Sequence, residues 1–164
     1  MKYLFPNEIE FSAKFSDCGK YRYTLCRIWD KSKGIIMYIG LNPSTANSTT
    51  DDPTIRRLKI FTRDFDYGGF IILNLFALVT PYPEELWICE NPIMDNDLYI
   101  EYYKDKVEKV IFCWGNFKLP VYGRDKAMIK LFPEAYCFGK NNNGSPKHPL
   151  YLKANTKLIK FNNQ

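Results

Sequence analysis

A nearly unbroken apolar run, Ile35-Ile36-Met37-Tyr38-Ile39, stops abruptly at Gly40-Leu41-Asn42-Pro43-Ser44. A run this apolar predicts a strand covered on both faces, the hallmark of a central position in a sheet flanked by helices. A polar loop follows and then a helix start: Asp51 or Asp52 can cap it, with Pro53 at its first position, where a missing N–H costs nothing. In an open α/β sheet such a junction is the carboxyl end of a strand, where ligands collect. Asn42, Ser44, Thr45, Asp51 and Asp52 crowd that junction.

The rest of the chain repeats the pattern. Tyr21–Trp29 alternates like a strand, and Lys31–Gly34 reads as a hairpin-like turn into the run at Ile35. Ile55, Leu58, Phe61 and Phe65 give the first helix a buried face, which Tyr67-Gly68-Gly69 ends. Phe70–Phe76 is a second central strand, with Asn74 set in it. Pro83–Leu86 opens a short helical turn, and a helix is expected from about Asn96 to Glu108. A third strand closes at Trp114-Gly115-Asn116. Arg124–Phe132 is helical, Ala135–Phe138 is a short strand, and a Gly/Asn-rich loop leads to Lys147-His148-Pro149-Leu150. Alternating strands and helices predict an α/β fold, a three-layer α/β/α sandwich on a mainly parallel sheet. With 164 residues and neither repeat nor linker, a single domain over 1–164 is expected.

If those strands are parallel, Asn42, Asn74, Asn116 and the only histidine, His148, converge on one rim. Each also has a plainer role. Asn before Pro initiates turns, a buried Asn satisfies loop backbone, a His between prolines packs at the surface, and Trp114 fills a core. Arg56 and Arg57 can be a solvated helix face. Asp51 and Asp52 can assist catalysis, bind a metal or cap the helix.

Aromatic residues make up 16% of the chain and the net charge is +5, so rings are available for stacking and a polyanionic partner is allowed. The five cysteines form no C-x-x-C pair and read as reduced, with Cys26 and Cys113 in the core, in a cytoplasmic protein without a structural metal. No signal-peptide pattern or apolar stretch of membrane-spanning length is visible, so no membrane partner is expected.

In order along the chain, Gly40-Leu41-Asn42-Pro43, Ile71-Ile72-Leu73-Asn74, Phe112-Cys113-Trp114-Gly115 and His148-Pro149-Leu150 resemble the motifs of the uracil-DNA glycosylase superfamily. Over Tyr21–Leu152 the chain also resembles an uncharacterised bacterial and phage family marked by Leu41-Asn42-Pro43-Ser44-Thr45-Ala46. The glycosylase resemblance implies cleavage of a base from its sugar in DNA or a nucleotide-like ligand, without a cofactor. In that chemistry His148 donates to the leaving base, Asn74 reads its edge and Asn42 places the water. Leu150 fills the gap left by a flipped base, and Phe76 or Tyr67 stacks. Arg56, Arg57, Lys140 and Lys147 meet phosphates. Position 42 departs from the most active branch, which carries a carboxylate there: an amide orients a water but is a poor general base. A binding module that kept the pocket without the chemistry, and a small-molecule enzyme of nucleotide metabolism, are the alternatives.

Overall fold

The structure, a computed structural model, describes residues 10–117 and 123–162. Among these residues seven strands form one sheet: β1 (Glu10–Phe15), β2 (Arg22–Ile28), β3 (Ile36–Gly40), β4 (Gly69–Asn74), β5 (Val110–Phe112), β6 (Tyr136–Cys137) and β7 (Ile159–Lys160). The helices are α1 (Pro53–Asp64), α2 (Glu85–Ile88), α3 (Asn96–Tyr103) and α4 (Arg124–Leu131).

The order across the sheet is β1-β2-β4-β3-β5-β6-β7. Pairings β4–β3, β3–β5 and β5–β6 are parallel, while β1–β2, β2–β4 and β6–β7 are antiparallel. The sheet is therefore mixed, with a parallel centre and antiparallel margins, rather than mainly parallel as expected. Residues 31–34 do not make a hairpin either. They form a short 3₁₀ turn, and β4 lies between β2 and β3. The helix expected to reach Glu108 ends at Tyr103. Strands β1 and β7 were not expected.

Both faces of the sheet are covered. On one, Ile55, Leu58 and Phe61 of α1 pack on Ile36 and Tyr38 of β3 and on Phe70 and Ile72 of β4. Each such side chain contributes about 1.5–3 kcal/mol of burial. On the other, Leu86 of α2, Ile100 of α3 and Met128 of α4 cover Met37, Ile39, Ile71 and Phe112. Phe65 is only half buried. Thr62 takes the inner position instead, its hydroxyl 2.9 Å from the buried Tyr38 hydroxyl. The five cysteines are free, with Cys26, Cys113 and Cys137 buried. Among the described residues no helix is long and apolar enough to cross a membrane.

From β3 the chain passes to β4 on one side, then crosses back to β5 on the other. The winding reverses at β3, so the carboxyl ends of β3 and β5 diverge around a crevice. That crevice is where the polar strand ends meet.

Candidate functional site

A cleft of about 220 Å³ opens at this switch point. That is below the ~300–1,000 Å³ of sites for drug-sized ligands and suits a single ring. Of the residues singled out above, Asn42, Ser44, Asp52, Asn74, Trp114 and His148 line it.

Beyond β3 the chain keeps pairing with the segment that follows β4. Leu75 and Phe76 N–H donate to the Gly40 and Leu41 carbonyls at 2.9 Å, and Thr80 N–H donates to Pro43 O at 3.0 Å. Asn42 closes this zipper. Its Nδ2 donates to Pro43 O at 2.9 Å, Leu78 O at 3.3 Å and Thr80 O at 2.8 Å. The nitrogen is committed to backbone, so Oδ1 is the atom left to orient a water or ligand.

Asn74, at the end of β4, is 2% exposed, and no hydrogen bond to its side-chain amide is found among the described residues. Its position depends on Gly40 across the β3–β4 pair, because a Cβ there would lie 2.6 Å from Asn74 Oδ1. His148 leans in the same way on Gly115: a Cβ there, at φ +84°, would lie 3.3 Å from His148 Cβ. His148 is exposed at the cleft, and its Nδ1 accepts the Leu150 N–H at 3.2 Å. A ring nitrogen accepting from an amide carries no proton, so the neutral ring presents Nε2–H as a donor. Desolvation of the ring lowers its pKa from 6.5, against the pull of Asp52.

Asp52 caps α1, its Oδ1 accepting Ile55 N–H at 2.9 Å, a bond worth about 1 kcal/mol. Trp114 is 3% exposed, a core residue packed on Phe112 whose surface also walls the cleft. Cys113 lines the cleft too, but complete burial pushes its thiol far up, which removes it as a nucleophile.

The other candidates lie elsewhere. Phe76 is fully buried beside Trp87 and does not line the cleft, so it cannot be the stacking ring. Tyr67 packs against the α1 face of the core. Asp51 is paired with Arg27 and Lys59, each at 2.8 Å. Thr45 is exposed outside the lining, and Arg56 is exposed with Nη1 on the Asp51 carbonyl. Arg57 lies over the Phe61 ring and donates to Leu152 O. Lys140 sits over Phe161, and Lys147 and Leu150 are half buried outside the lining. Asn116 is exposed and bonded to Asn143.

Sequence reasoning missed three residues. Arg22 is 2% exposed and lines the cleft. Because β2 runs antiparallel to β4, its beginning, not its end, lies at this rim, and a search of strand ends passes over it. Arg27 is 1% exposed; it gives Nε to Asp51 and Nη2 to Asn47 O and Thr50 O, pinning the loop after β3. Tyr151 stands wholly in solvent at φ 67°, on the loop that carries His148. The one available signal for the arginines was a pair of cations in a strand otherwise built for burial.

A family model described as "Protein of unknown function (DUF1643)" matches residues 22–150, a span that holds every residue lining the cleft. No curated protein and no solved structure matches the chain.

Proposed function

The chain belongs to that family of unknown function, and we propose that it processes a nucleobase, as an N-glycosidic-bond hydrolase of the kind that acts on DNA. One observation carries the reading: Asn42, Asn74, Trp114 and His148, from four separate segments, line a single ring-sized cleft. Their order along the chain is that of the uracil-DNA glycosylase motifs they resemble. That resemblance also supports a kindred sandwich architecture around the parallel strands β4, β3, β5 and β6.

Breaking the base–sugar bond leaves a cationic sugar and a base gaining negative charge. The Nε2–H of neutral His148 can donate to an oxygen of the departing base. The amide of Asn74 offers one donor and one acceptor side by side, the pattern that pairs with an amide-like base edge. Oδ1 of Asn42 can hold the water, and Asp52, with one oxygen on the helix cap, leaves the other facing developing positive charge. Tyr151 suits the gap-filling role better than half-buried Leu150, since an exposed ring can stack where a base has left.

The test is release of free base from single- and double-stranded oligonucleotides carrying uracil, mismatches or modified bases. His148→Ala and Asn74→Ala should each slow release about a hundredfold, the lower end for a positioned proton donor. No release by the parent protein from any substrate would sink the hydrolase. One observation favours a binding module instead: the amide nitrogen of Asn42 is spent on the fold. That reading expects saturable binding without turnover, lost in the same two variants.

The His148 geometry also sets a pH dependence. Its folded pKa lies below the ordinary 6.5, so the donor form and the Leu150 bond are intact above 6.5. As pH falls through the lowered folded value Nε2–H stays a donor, but protonated Nδ1 can no longer accept the Leu150 N–H, so the bond that orients the ring towards the cleft is lost. Base release or ligand binding should therefore be flat above pH 6.5 and fall on acidification, with the fall absent in His148→Gln. A rise in activity on acidification would contradict the neutral-donor role.

A further inference from the structure

Arg22, Arg27 and Arg124 are buried arginines of very different standing. Arg27 meets Asp51 at 2.8 Å and donates to the Cys26, Asn47 and Thr50 carbonyls. Arg124 grips Asp97 with both terminal nitrogens and gives Nε to Leu75 O at 2.9 Å. The Arg22 guanidinium has one hydrogen bond among the described residues, Nη1 to Ala46 O at 3.1 Å. Its Nε is enclosed without a partner, and no carboxylate among the described residues lies within ion-pair reach of it.

Burial draws the Arg22 guanidinium down to about 10, partly offset by Asp52, so it remains a cation at neutral pH. An enclosed cation with one bond is a liability of several kcal/mol, and Arg27 on the same strand has the carboxylate that Arg22 lacks. Arg22 lines the cleft together with the free amide of Asn74 and the first residues of α1, a helix of 12 residues. Asp52 is the acidic residue of that lining; its Oδ1 accepts the Ile55 N–H and its charge acts on Arg22 only from beyond ion-pair reach, so the guanidinium is unpaired and open to an incoming anion.

We propose that Arg22 is the oxyanion receptor of this cleft, and that the ligand brings a phosphate against it while its base meets Asn74. The phosphate half is independent of the hydrolase reading; the base half rests on it. A guanidinium serves because it offers parallel donors to two oxygens of one phosphate.

The experiment is calorimetric titration, at one fixed ionic strength, of each common nucleoside, its 5′-monophosphate and inorganic phosphate. At least one monophosphate should bind the parent protein about tenfold or more tighter than its nucleoside, as expected for a charge-assisted hydrogen bond. Arg22→Gln should abolish that advantage, and Arg22→Lys should keep part of it. Competition by inorganic phosphate alone would identify the free anion, rather than the nucleotide, as sufficient. Equal affinities within every pair, an advantage that survives Arg22→Gln, or no binding at millimolar concentration would each overturn the proposal. Should Arg22→Gln fail to fold, Arg22→Lys and the parent comparison still decide it. Base release that depends on His148 and Asn74 stands or falls separately from this preference.

Discussion

Arg27→Ala should lower stability by about 3–5 kcal/mol, the usual cost of removing one partner from a buried ion pair. For a chain of this size that is a fall in Tm on the order of 10 °C. Arg27 is 1% exposed and Asp51 is 20% exposed, so water cannot fully replace the lost partner. The loss is threefold: Asp51 keeps only Lys59, the Asn47 and Thr50 carbonyls lose their donor, and a void opens beside the Phe11 ring. Arg27→Lys should recover little, because one ammonium cannot reach positions spanned by three guanidinium nitrogens. Burial alone would raise the Asp51 carboxyl, but Lys59 and Arg27 hold it below its ordinary value. The parent pair therefore stabilises the fold above the unfolded Asp pKa and is lost as pH falls through the lower folded value. The difference between parent and variant should accordingly shrink below about pH 4 in thermal melts. A variant within about 1 kcal/mol of the parent at neutral pH would show that the loop is held by something other than Arg27.

Arg27 also marks the limit of what the sequence discloses. The centre of the fold is written in single runs: Ile36–Gly40, and Gly69–Asn74 up to its closing Asn, carry no charged residue because both faces are covered, and period and length alone identify them. The cap at Asp52 and the buried face of α1 are local too, set by residues three or four apart. Three of the polar groups that line the cleft were legible: Asn42 and Asn74 because each ends or follows an apolar run, and His148 because it is the one histidine of the sequence and stands in a His-Pro-Leu segment. What was hidden depends on pairing between distant segments. β2 sits beside β4 rather than β3, a choice no local turn signal records, and it alone brings Arg22 to the rim. Phe76 continues the run that ends at Asn74, yet it points into the core, where Trp87 of α2 meets it. The strand alternation stops at Asn74, where β4 ends, so Phe76, two residues on, does not keep the face that Asn74 presents.

Asn42→Asp should be less stable than Asn42→Ala at neutral pH, although aspartate is the closer match in shape. The Asn42 amide nitrogen faces the Pro43, Leu78 and Thr80 carbonyls at 2.8–3.3 Å. A carboxylate has no donor for any of them and would set a negative charge against three oxygens. The expected cost is about 3 kcal/mol or more, from lost bonds, unsatisfied carbonyls and repulsion together. Alanine forfeits the same bonds without the repulsion, and the space it leaves admits water. Repulsion by the carbonyls would raise the folded pKa of the new carboxyl above its unfolded value. The penalty is then present above the folded pKa and disappears below the unfolded one, where a protonated carboxyl donates to one carbonyl. Melting curves of the two variants at pH 7 and near pH 4 should thus show Asn42→Asp the weaker at the first and equal or stronger at the second. Base release should fall with stability at neutral pH, because the zipper between residues 40–43 and 75–80 forms one wall of the cleft. An Asn42→Asp protein as stable as the parent and faster in base release would mean that position 42 is a general-base position with its donor role dispensable. The opposite result makes the amide a structural requirement of this family member, and any carboxylate chemistry in the cleft then falls to Asp52.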